Sequence, residues 1–360
     1  MASLPVRILI NNQEANAVWL QSLKEVTVEQ RLGQAAEARI LFPLVVNTQG
    51  VWTDLSGAMD ISAGQRVRVL ASADGENLRA LIDGEVVSVE SRQSSEPGES
   101  LRVWVLKDDA AILDRDEGVW VYEKETPDQV ARALFNELSP LFSEVQVEGG
   151  GQFQTPAPQA IVHRGTRWEL LQKLAKIYGV DVFVRPGPRF GTSQGFFIKT
   201  PRSEEQKANL WINGPERNLE EVELLEDFHQ PAQVKAHGLI LQQKQESHSL
   251  ADPGNAGRLH LAPTEMGQAA EAAPFAEAEM KRLNRGVLLK AKVRTLTYTD
   301  LLEAGAWVQV GGLGERYSGD FLVRSVVYRF LNDQWEQEVE LLGSANEKRK
   351  PAFAPVGRIY

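Results

Sequence analysis

The sequence contains no cysteine, and this absence removes several classes of protein at once. No disulfide framework, thiolate nucleophile or cysteine-based zinc site can form. Only 5 histidines are present among 360 residues, none of them three or four positions from another, so the helical zinc motif HExxH is absent as well. We therefore expect a chain that folds without oxidation, holds no metal and needs no cofactor.

Long apolar runs are also missing. No stretch approaches the roughly 18 consecutive apolar residues of a membrane-spanning helix. The first ten residues, MASLPVRILI, lack the basic start and long apolar segment of a signal peptide. We expect synthesis in the cytoplasm without a membrane anchor.

Positive charge is in the minority. Lysine and arginine number 39 against 49 aspartates and glutamates, for a net charge of −10. A general nucleic-acid binder needs a basic surface that displaces counterions from phosphates. We therefore expect no specific binding of nucleic acid; an acidic surface is suited to repelling DNA.

Known catalytic motifs are absent too. The glycines at 254–257 and 311–314 lack the Lys-Ser/Thr pair of a phosphate-binding loop, and no G-x-S-x-G elbow occurs. The acidic stretch 107–118 does not have the ligand spacing of a calcium loop, so it is interpreted as a turn after a strand. These observations favour a protein that is not an enzyme.

What the sequence does contain is alternation of apolar and polar residues. Period-two patterns bounded by Gly, Asn, Asp and Ser clusters are typical of strands joined by turns. Six such strands in the first third predict a barrel or sandwich. They lie at 6–10, 26–32, 38–42, 64–70, 81–90 and 101–106.

Two helices are predicted in the middle of the chain. Thr126 and Gln129 have the spacing of a capping box at the start of one helix. Thr166 and Glu169 repeat that spacing at the start of the second, which Gly179 ends. Strands follow the second helix, so this part is predicted to be a small α+β domain.

The predicted fold class is therefore β-rich α+β, with four segments along the chain. Period-two patterning returns after the α+β part, interrupted by a polar stretch and a helix near 274–284. The segments are a first β-barrel at 1–113, the α+β domain at 114–205, a second β-barrel at 206–345 with an insertion around 243–286, and an extended C-terminal arm at 346–360.

The two β regions resemble each other, which indicates an internal duplication. The first has a strand led by Gly64, a second led by Gly84, a polar turn and a closing strand at 101–106. The second has strands led by Gly305 and Gly319 and a closing strand at 338–342. Glycine at a strand start permits a tight turn or bulge.

Several stretches, taken in order, resemble the central hub proteins of contractile tails. That family includes the late-control D proteins of phages and the N-terminal part of type VI secretion spike proteins. The most specific matches are the helix motif Trp-x-Leu-Leu-x-x-Leu-Ala at 168–175 and the strand motif G-x-x-V-x-V-x-G at 305–312. The matching stretches are 83–90, 107–116, 164–184, 304–313 and 317–330.

The resemblance implies a structural role. In this family each chain carries two barrels resembling the tail-tube subunit, and three chains form a pseudo-sixfold ring. That ring joins a hexameric inner tube to a trimeric spike, beside other baseplate proteins, and DNA or an effector passes through its channel. The implied partners are two further copies of the chain, the tube protein and the spike, within a phage tail or injection particle.

Unlike the spike proteins of type VI systems, this sequence has no β-helix after its second β region, so the spike is expected to be a separate protein. The basic C-terminal arm is a candidate contact for that spike or for a neighbouring copy, a disordered terminus being the alternative. Two other functions stay open: a tail-associated peptidoglycan hydrolase and a receptor- or carbohydrate-binding tail protein. The candidate contact residues are Lys348, Arg349, Phe353, Arg358 and Tyr360.

Overall fold

Strands make up most of the chain. The computed structural model describes residues 6–15, 17–54, 64–96, 98–148, 160–199, 208–226, 231–239, 245–251, 258–261, 276–280, 285–295, 297–298, 300–331 and 334–343. No helix in these ranges is both long enough and apolar enough to cross a membrane.

Strands and helices are numbered in chain order. The helices are α1 (Ala17–Ser22), α2 (Ala110–Leu113), α3 (Pro127–Asn136) and α4 (Arg167–Tyr178), and residues 276–280 are also helical. The strands are β1 (Val6–Ile10), β2 (Gln13–Glu14), β3 (Glu25–Arg31), β4 (Glu37–Val46), β5 (Trp52–Asp54), β6 (Arg66–Ala71), β7 (Arg79–Arg92), β8 (Leu101–Asp108), β9 (Glu117–Tyr122), β10 (Phe142–Val147), β11 (Ile161–Thr166), β12 (Asp181–Pro186), β13 (Ser193–Ile198), β14 (Ala208–Trp211), β15 (Leu219–Glu226), β16 (Pro231–Leu239), β17 (Gln245–Ala251), β18 (Arg258–Leu261), β19 (Val287–Val293), β20 (Trp307–Gly311), β21 (Gly319–Leu331) and β22 (Gln334–Gly343).

The six strands predicted in the first third are confirmed as β1, β3, β4, β6, β7 and β8. The polar stretch after β16, which interrupts the period-two pattern of the sequence, contains two strands, β17 and β18, which pair with β16 in a separate sheet. Its composition is poor in apolar residues, so period-two patterning could not reveal these strands. The helix predicted near 274–284 is present at 276–280.

Both β regions have the same order of strands. In the first, the hydrogen-bonded neighbours run β1-β6-β7-β8-β4-β3. In the second they run β14-β20-β21-β22-β19-β15. When the six strands of each region are ranked by their position in the sequence, the two orders are identical. The one difference in direction is that β14 lies parallel to β20, whereas β1 lies antiparallel to β6.

Backbone details repeat along with the strand order. The N–H of Gly64 donates to the C=O of Val86 at 3.0 Å, and the N–H of Gly305 donates to the C=O of Val323 at 2.8 Å. Both glycines have a positive φ, of 84° and 89°, a conformation in which any other residue is strained. Val86 in β7 therefore corresponds to Val323 in β21.

A β-bulge follows each of these valines. The pairing of β7 with β8 skips Val87, and the pairing of β21 with β22 skips Arg324. Because the extra residue bends its strand, each long strand changes direction at the same point.

This register corrects the sequence comparison at one pair of glycines. Gly84 corresponds to Phe321, two residues beyond the Gly319 with which the sequence pattern paired it. Glycine is required at these two positions for different reasons. A Cβ on Gly84 would collide with the carbonyl oxygen of Lys107, whereas Gly319 has a φ of 147°.

One antiparallel ladder joins the two β regions. In this ladder, which we call the seam, Ser325 lies opposite Arg31 and Phe330 lies opposite Val26. The seam merges both regions into a 14-stranded sheet. One hydrophobic core runs beneath it, with Val28 and Val326 fully buried on the two sides.

The middle of the chain has a second core, in a part that we call the α+β unit. Here β10, β13 and β12 form a three-stranded sheet and β9 pairs with β11 in a two-stranded ribbon. Helices α3 and α4 bury Leu134, Phe135 and Leu171 against this sheet.

Both predicted capping boxes are present. The Oε1 of Gln129 accepts a hydrogen bond from the N–H of Thr126 at 2.9 Å. At α4 the bonds are reciprocal: the N–H of Thr166 donates to Glu169 Oε2 at 2.9 Å, and the N–H of Glu169 donates to Thr166 Oγ1 at 3.1 Å. Gly179 ends α4 in the left-handed region, with a φ of 65°.

We predict that Thr166→Ala destabilises the protein by about 1–2 kcal/mol, because the N–H of Glu169 loses its acceptor. The substitution also removes the hydrogen bond, 2.7 Å long, that Thr166 Oγ1 donates to Asp114. Urea denaturation measures the loss. Thr166→Ser keeps the hydroxyl and is expected to retain most of the stability; an equal loss in both variants would contradict a capping role.

Candidate functional site

A buried cluster of charges fastens the α+β unit to the large sheet. Arg66 on β6 donates to Asp83 Oδ1 at 2.5 Å and forms two bonds to the carboxylate of Asp109, at 3.0 and 2.6 Å. The side chains of both aspartates are fully buried. Burial alone would lower the pKa of Arg66, but the two carboxylates outweigh it, so the pKa is raised and the guanidinium stays charged.

The hairpin formed by β12 and β13 completes this cluster. Ser193 Oγ donates to Asp109 Oδ2 at 2.6 Å, and the N–H of Gly191 donates to Asp83 Oδ2 at 3.0 Å. Arg68 donates to the carbonyl of Gly187 in the same hairpin. Because a buried charge that loses its partner costs several kcal/mol, these bonds hold the α+β unit in one position on the sheet.

Asp108 is a third buried acid beside the cluster. Its Oδ1 accepts from the N–H of Ala110 at 3.1 Å. Burial raises the pKa of Asp108 from 3.8 to about 7, and the neighbouring Asp109 adds to this effect. Asp83 and Asp109 already balance the two arginines, so an ionised Asp108 would be a surplus negative charge.

A polar cavity of about 200 Å³ lies where the seam, β7 and the α+β unit meet. Gln30 of the seam donates to the carbonyl of Leu81 at 2.8 Å across β3 and β7. Asp108, Phe183 and Glu303 also line this cavity. The cavity is a space between packed units, because residues of the seam, of β7 and of the α+β unit form its different walls.

An exposed apolar face lies on the ribbon formed by β9 and β11. Val119, Val121 and Val162 are 67%, 53% and 57% exposed, and Val121 lies directly opposite Val162. The other face of this ribbon packs inward through Trp120, whose Nε1 donates to the carbonyl of Gly165 at 3.0 Å. The three valines therefore form a small apolar patch on the outer face of the ribbon.

The large sheet also presents two incompletely paired strands. Among the described residues, β15 has a ladder partner on one side alone, β19, and ends the sheet. On β7, the part beyond Val86 pairs with β8 on one side and with no described strand on the other. Val89 on this part of β7 is 42% exposed and Leu225 on β15 is 61% exposed.

The site residues proposed from the sequence lie outside the described part of the chain. All five belong to the arm beyond residue 343, so their role stays a prediction. Trp335 and Trp120 are partly buried and pack against the core of the large sheet and that of the α+β unit, respectively. No group of three or more potential metal ligands occurs within the described ranges.

Sequence patterns missed the acids of the charge cluster. Asp108 and Asp109 belong to the stretch interpreted as a turn after a strand, yet both are buried, Asp108 as the last residue of β8 and Asp109 just before α2. Two consecutive acids followed by the apolar run Ala-Ala-Ile-Leu do indicate carboxylates that are buried with a cationic partner, because acidic side chains are almost never fully buried unless they are paired. The partner Arg66 is more than 40 residues earlier, so no local pattern could identify it.

We predict that Asp108→Asn removes a pH dependence of stability. The folded protein keeps the Asp108 proton up to about pH 7, whereas the unfolded chain releases it near 3.8. The stability of the wild type therefore falls between about pH 4 and 7, by up to ~1.4 kcal/mol per pH unit, and stays at the lower level above pH 7. The asparagine variant lacks this fall and is relatively more stable at pH 8.

Urea midpoints at pH 5, 6, 7 and 8 measure this difference. Asp109→Asn is the comparison variant: it weakens the bonds to Arg66 and Ser193 and lowers stability, and it keeps a smaller fall, because burial, the main cause of the raised pKa of Asp108, remains while the contribution of the Asp109 charge is lost. Parallel pH profiles for the wild type and Asp108→Asn would contradict the assignment.

Solved structures share this fold over almost the whole chain. A tail protein from Neisseria meningitidis superposes with a TM-score of 0.71 at 16% identity, covering 95% of this chain and 97% of that one. A 43 kDa tail protein of prophage MuSo2 from Shewanella oneidensis gives 0.67 at 14% identity, covering 93% and 97%.

A third structure comes from a secretion system. The Escherichia coli protein c3393, a component of the type VI secretion system with structural similarity to the T4 tail proteins gp27 and gp5, gives a TM-score of 0.62 at 12% identity, covering 96% of this chain and 78% of that one. No protein-family model and no curated protein matches the sequence. The chain thus has the β-rich fold of phage tail and type VI secretion proteins, and its fold resembles that of a baseplate hub.

Proposed function

We propose that this chain is the structural hub of a contractile tail or injection device. Three copies form a ring of six tube-like β-barrels, two from each chain, which joins a hexameric inner tube to a trimeric spike. The observation that carries this proposal is that one order of six strands, with the same turn and the same bulge, occurs twice in a single chain.

The repeated order supports this function for a geometrical reason. A ring that presents six similar units on one side and three identical chains on the other needs two similar units in each chain. Because each bulge bends its long strand, the part before the bulge pairs within its own β region and the part after it extends toward the neighbouring β region. Within the chain that second direction leads into the seam.

The neighbouring folds support a role in assembly. The superposition extends over 97% of the Neisseria tail protein and 97% of the MuSo2 tail protein, so the likeness in fold spans nearly the whole length of both. The structural neighbours are tail and secretion proteins, which favours a non-enzymatic role. No observation on the described residues favours the hydrolase or the receptor-binding alternative.

The partners follow from this role and are proposals with it. They are two further copies of the chain, the inner tube protein, a separate spike protein and other baseplate proteins, with DNA or an effector passing through the channel. The basic arm at 346–360 is proposed to contact the spike or a neighbouring copy. The four predicted segments, bounded at residues 113, 205 and 345, stay proposals as well.

We predict a purified assembly of about 120 kDa, three times the chain mass of 40.0 kDa. Light scattering on the chain alone and with the particle's spike protein measures this mass. Negative-stain images are expected to show a ring with six lobes, because each chain supplies two β-barrels. A chain that remains monomeric even with the spike present, and forms no ring, would rule out the hub function.

A further inference from the structure

The seam provides a template for contact between copies. Its two strands, β3 and β21, each have a counterpart in the other β region. Val86 corresponds to Val323, so the outer part of β7 corresponds to the part of β21 that forms the seam. The two bulges, at Val87 and Arg324, confirm this alignment independently.

The counterpart of β3 is β15. In the first β region Val28 pairs with Ala38 on β4. In the second, Leu224 pairs with Leu289 on β19, which occupies the place of β4 in the strand order. Since Ala38 and Leu289 pair with the equivalent residues of β8 and β22, Leu224 corresponds to Val28.

Within the chain, β3 and β21 pair with each other, whereas the described residues offer their counterparts no such partner. The outer part of β7 and the outer side of β15 are the two incompletely paired edges of the sheet. We propose that β15 of one copy pairs antiparallel with the outer part of β7 of the next copy, which repeats the seam between chains. This inference rests on the proposed ring and names the strands that close it.

The seam also supplies the register. Each residue of the seam is replaced by its counterpart on β7 or β15. The pair Phe330–Val26 then becomes Gln93 opposite Val222, and the pair Arg329–Thr27 becomes Arg92 opposite Glu223. Two residues farther along, where Val327 lies opposite Glu29 in the seam, the same register places Glu90 opposite Leu225. The pairing therefore sets a cation directly against a carboxylate, an arrangement that stabilises neighbouring strands.

A displaced register is electrostatically worse. Slipping β15 by two residues, which preserves the faces of the strands, places Glu90 directly opposite Glu223. Like charges in opposing positions destabilise a strand pair. The charges on the two edges therefore favour the register that the seam predicts.

Burial gives a third argument. Val26, Val28 and Val326 are at most 2% exposed because the seam covers them. Their counterparts Val222 and Leu224 are half-buried against the same core, and Val89, the counterpart of Val326, is 42% exposed. Pairing between copies would complete the core at its two open ends, as it is completed at the seam.

Engineered disulfides test the register directly, because the chain has no cysteine of its own. Glu90→Cys and Leu225→Cys, combined in one chain, place two exposed side chains opposite each other within disulfide reach. Mild oxidation of the assembled protein is expected to give covalent dimers and trimers on a non-reducing gel. The matched control combines Glu90→Cys with Glu221→Cys, which is about 13 Å farther along the same face and should stay uncrosslinked.

The outcomes separate this pairing from the hub function. A mixture of one chain carrying Glu90→Cys with another carrying Leu225→Cys is expected to give covalent dimers alone. A 120 kDa ring in which the facing pair crosslinks no better than the control would overturn the pairing and leave the hub function standing. A chain that never assembles, with its mass measured on the same samples, would contradict both.

A charge exchange provides a second test. Arg92→Glu places two carboxylates opposite each other at every junction between copies and is expected to raise the protein concentration needed for half-assembly about tenfold. Glu223→Arg alone should act in the same direction. Combining them restores opposite charges and is expected to return assembly to within about threefold of the wild type. If the double variant raised the concentration for half-assembly by the product of the two single effects, that result would overturn the register.

Discussion

The ladder of backbone hydrogen bonds between β3 and β21 is the interaction on which the rest of the structure depends. Without it the chain would consist of two separate β regions, each with an open strand edge. With it the hydrophobic residues of both regions share one core, and Val28, Val326 and Tyr328 become fully inaccessible to water. The relative position of the two regions is thus set by main-chain geometry, which depends little on side-chain identity.

The charge cluster has a complementary role. A hydrophobic contact between the sheet and the α+β unit would tolerate sliding, since apolar contacts have little directionality. Arg66 instead binds carboxylates from β7 and from the start of α2, and the same carboxylates accept bonds from the hairpin of the α+β unit. Such a network is satisfied in one arrangement, so it specifies position at a cost in desolvation.

Sequence patterns predicted what is encoded over short distances. Alternation located the strands of the first β region, and the capping boxes at Thr126 and Thr166 located two helix starts. The seam was beyond their reach, because nothing near Val26 or Phe330 indicates a partner about 300 residues away. The repeated glycines pointed to two similar regions, but Gly84 was matched with Gly319 because pattern matching cannot distinguish a glycine required by a close carbonyl from one required by φ.

The seam also determines when the protein can finish folding. Strand β3 ends at Arg31 and its partner begins to pair at Ser325. At the ~5–20 residues per second of synthesis, about 300 intervening residues take roughly 15–60 s. During that time the first β region is on the ribosome with one strand edge open to other chains. Glu25 and Glu29 on that strand are charged residues of the kind that discourages edge-to-edge aggregation. The nascent chain is therefore protected by the same strand that later completes the sheet.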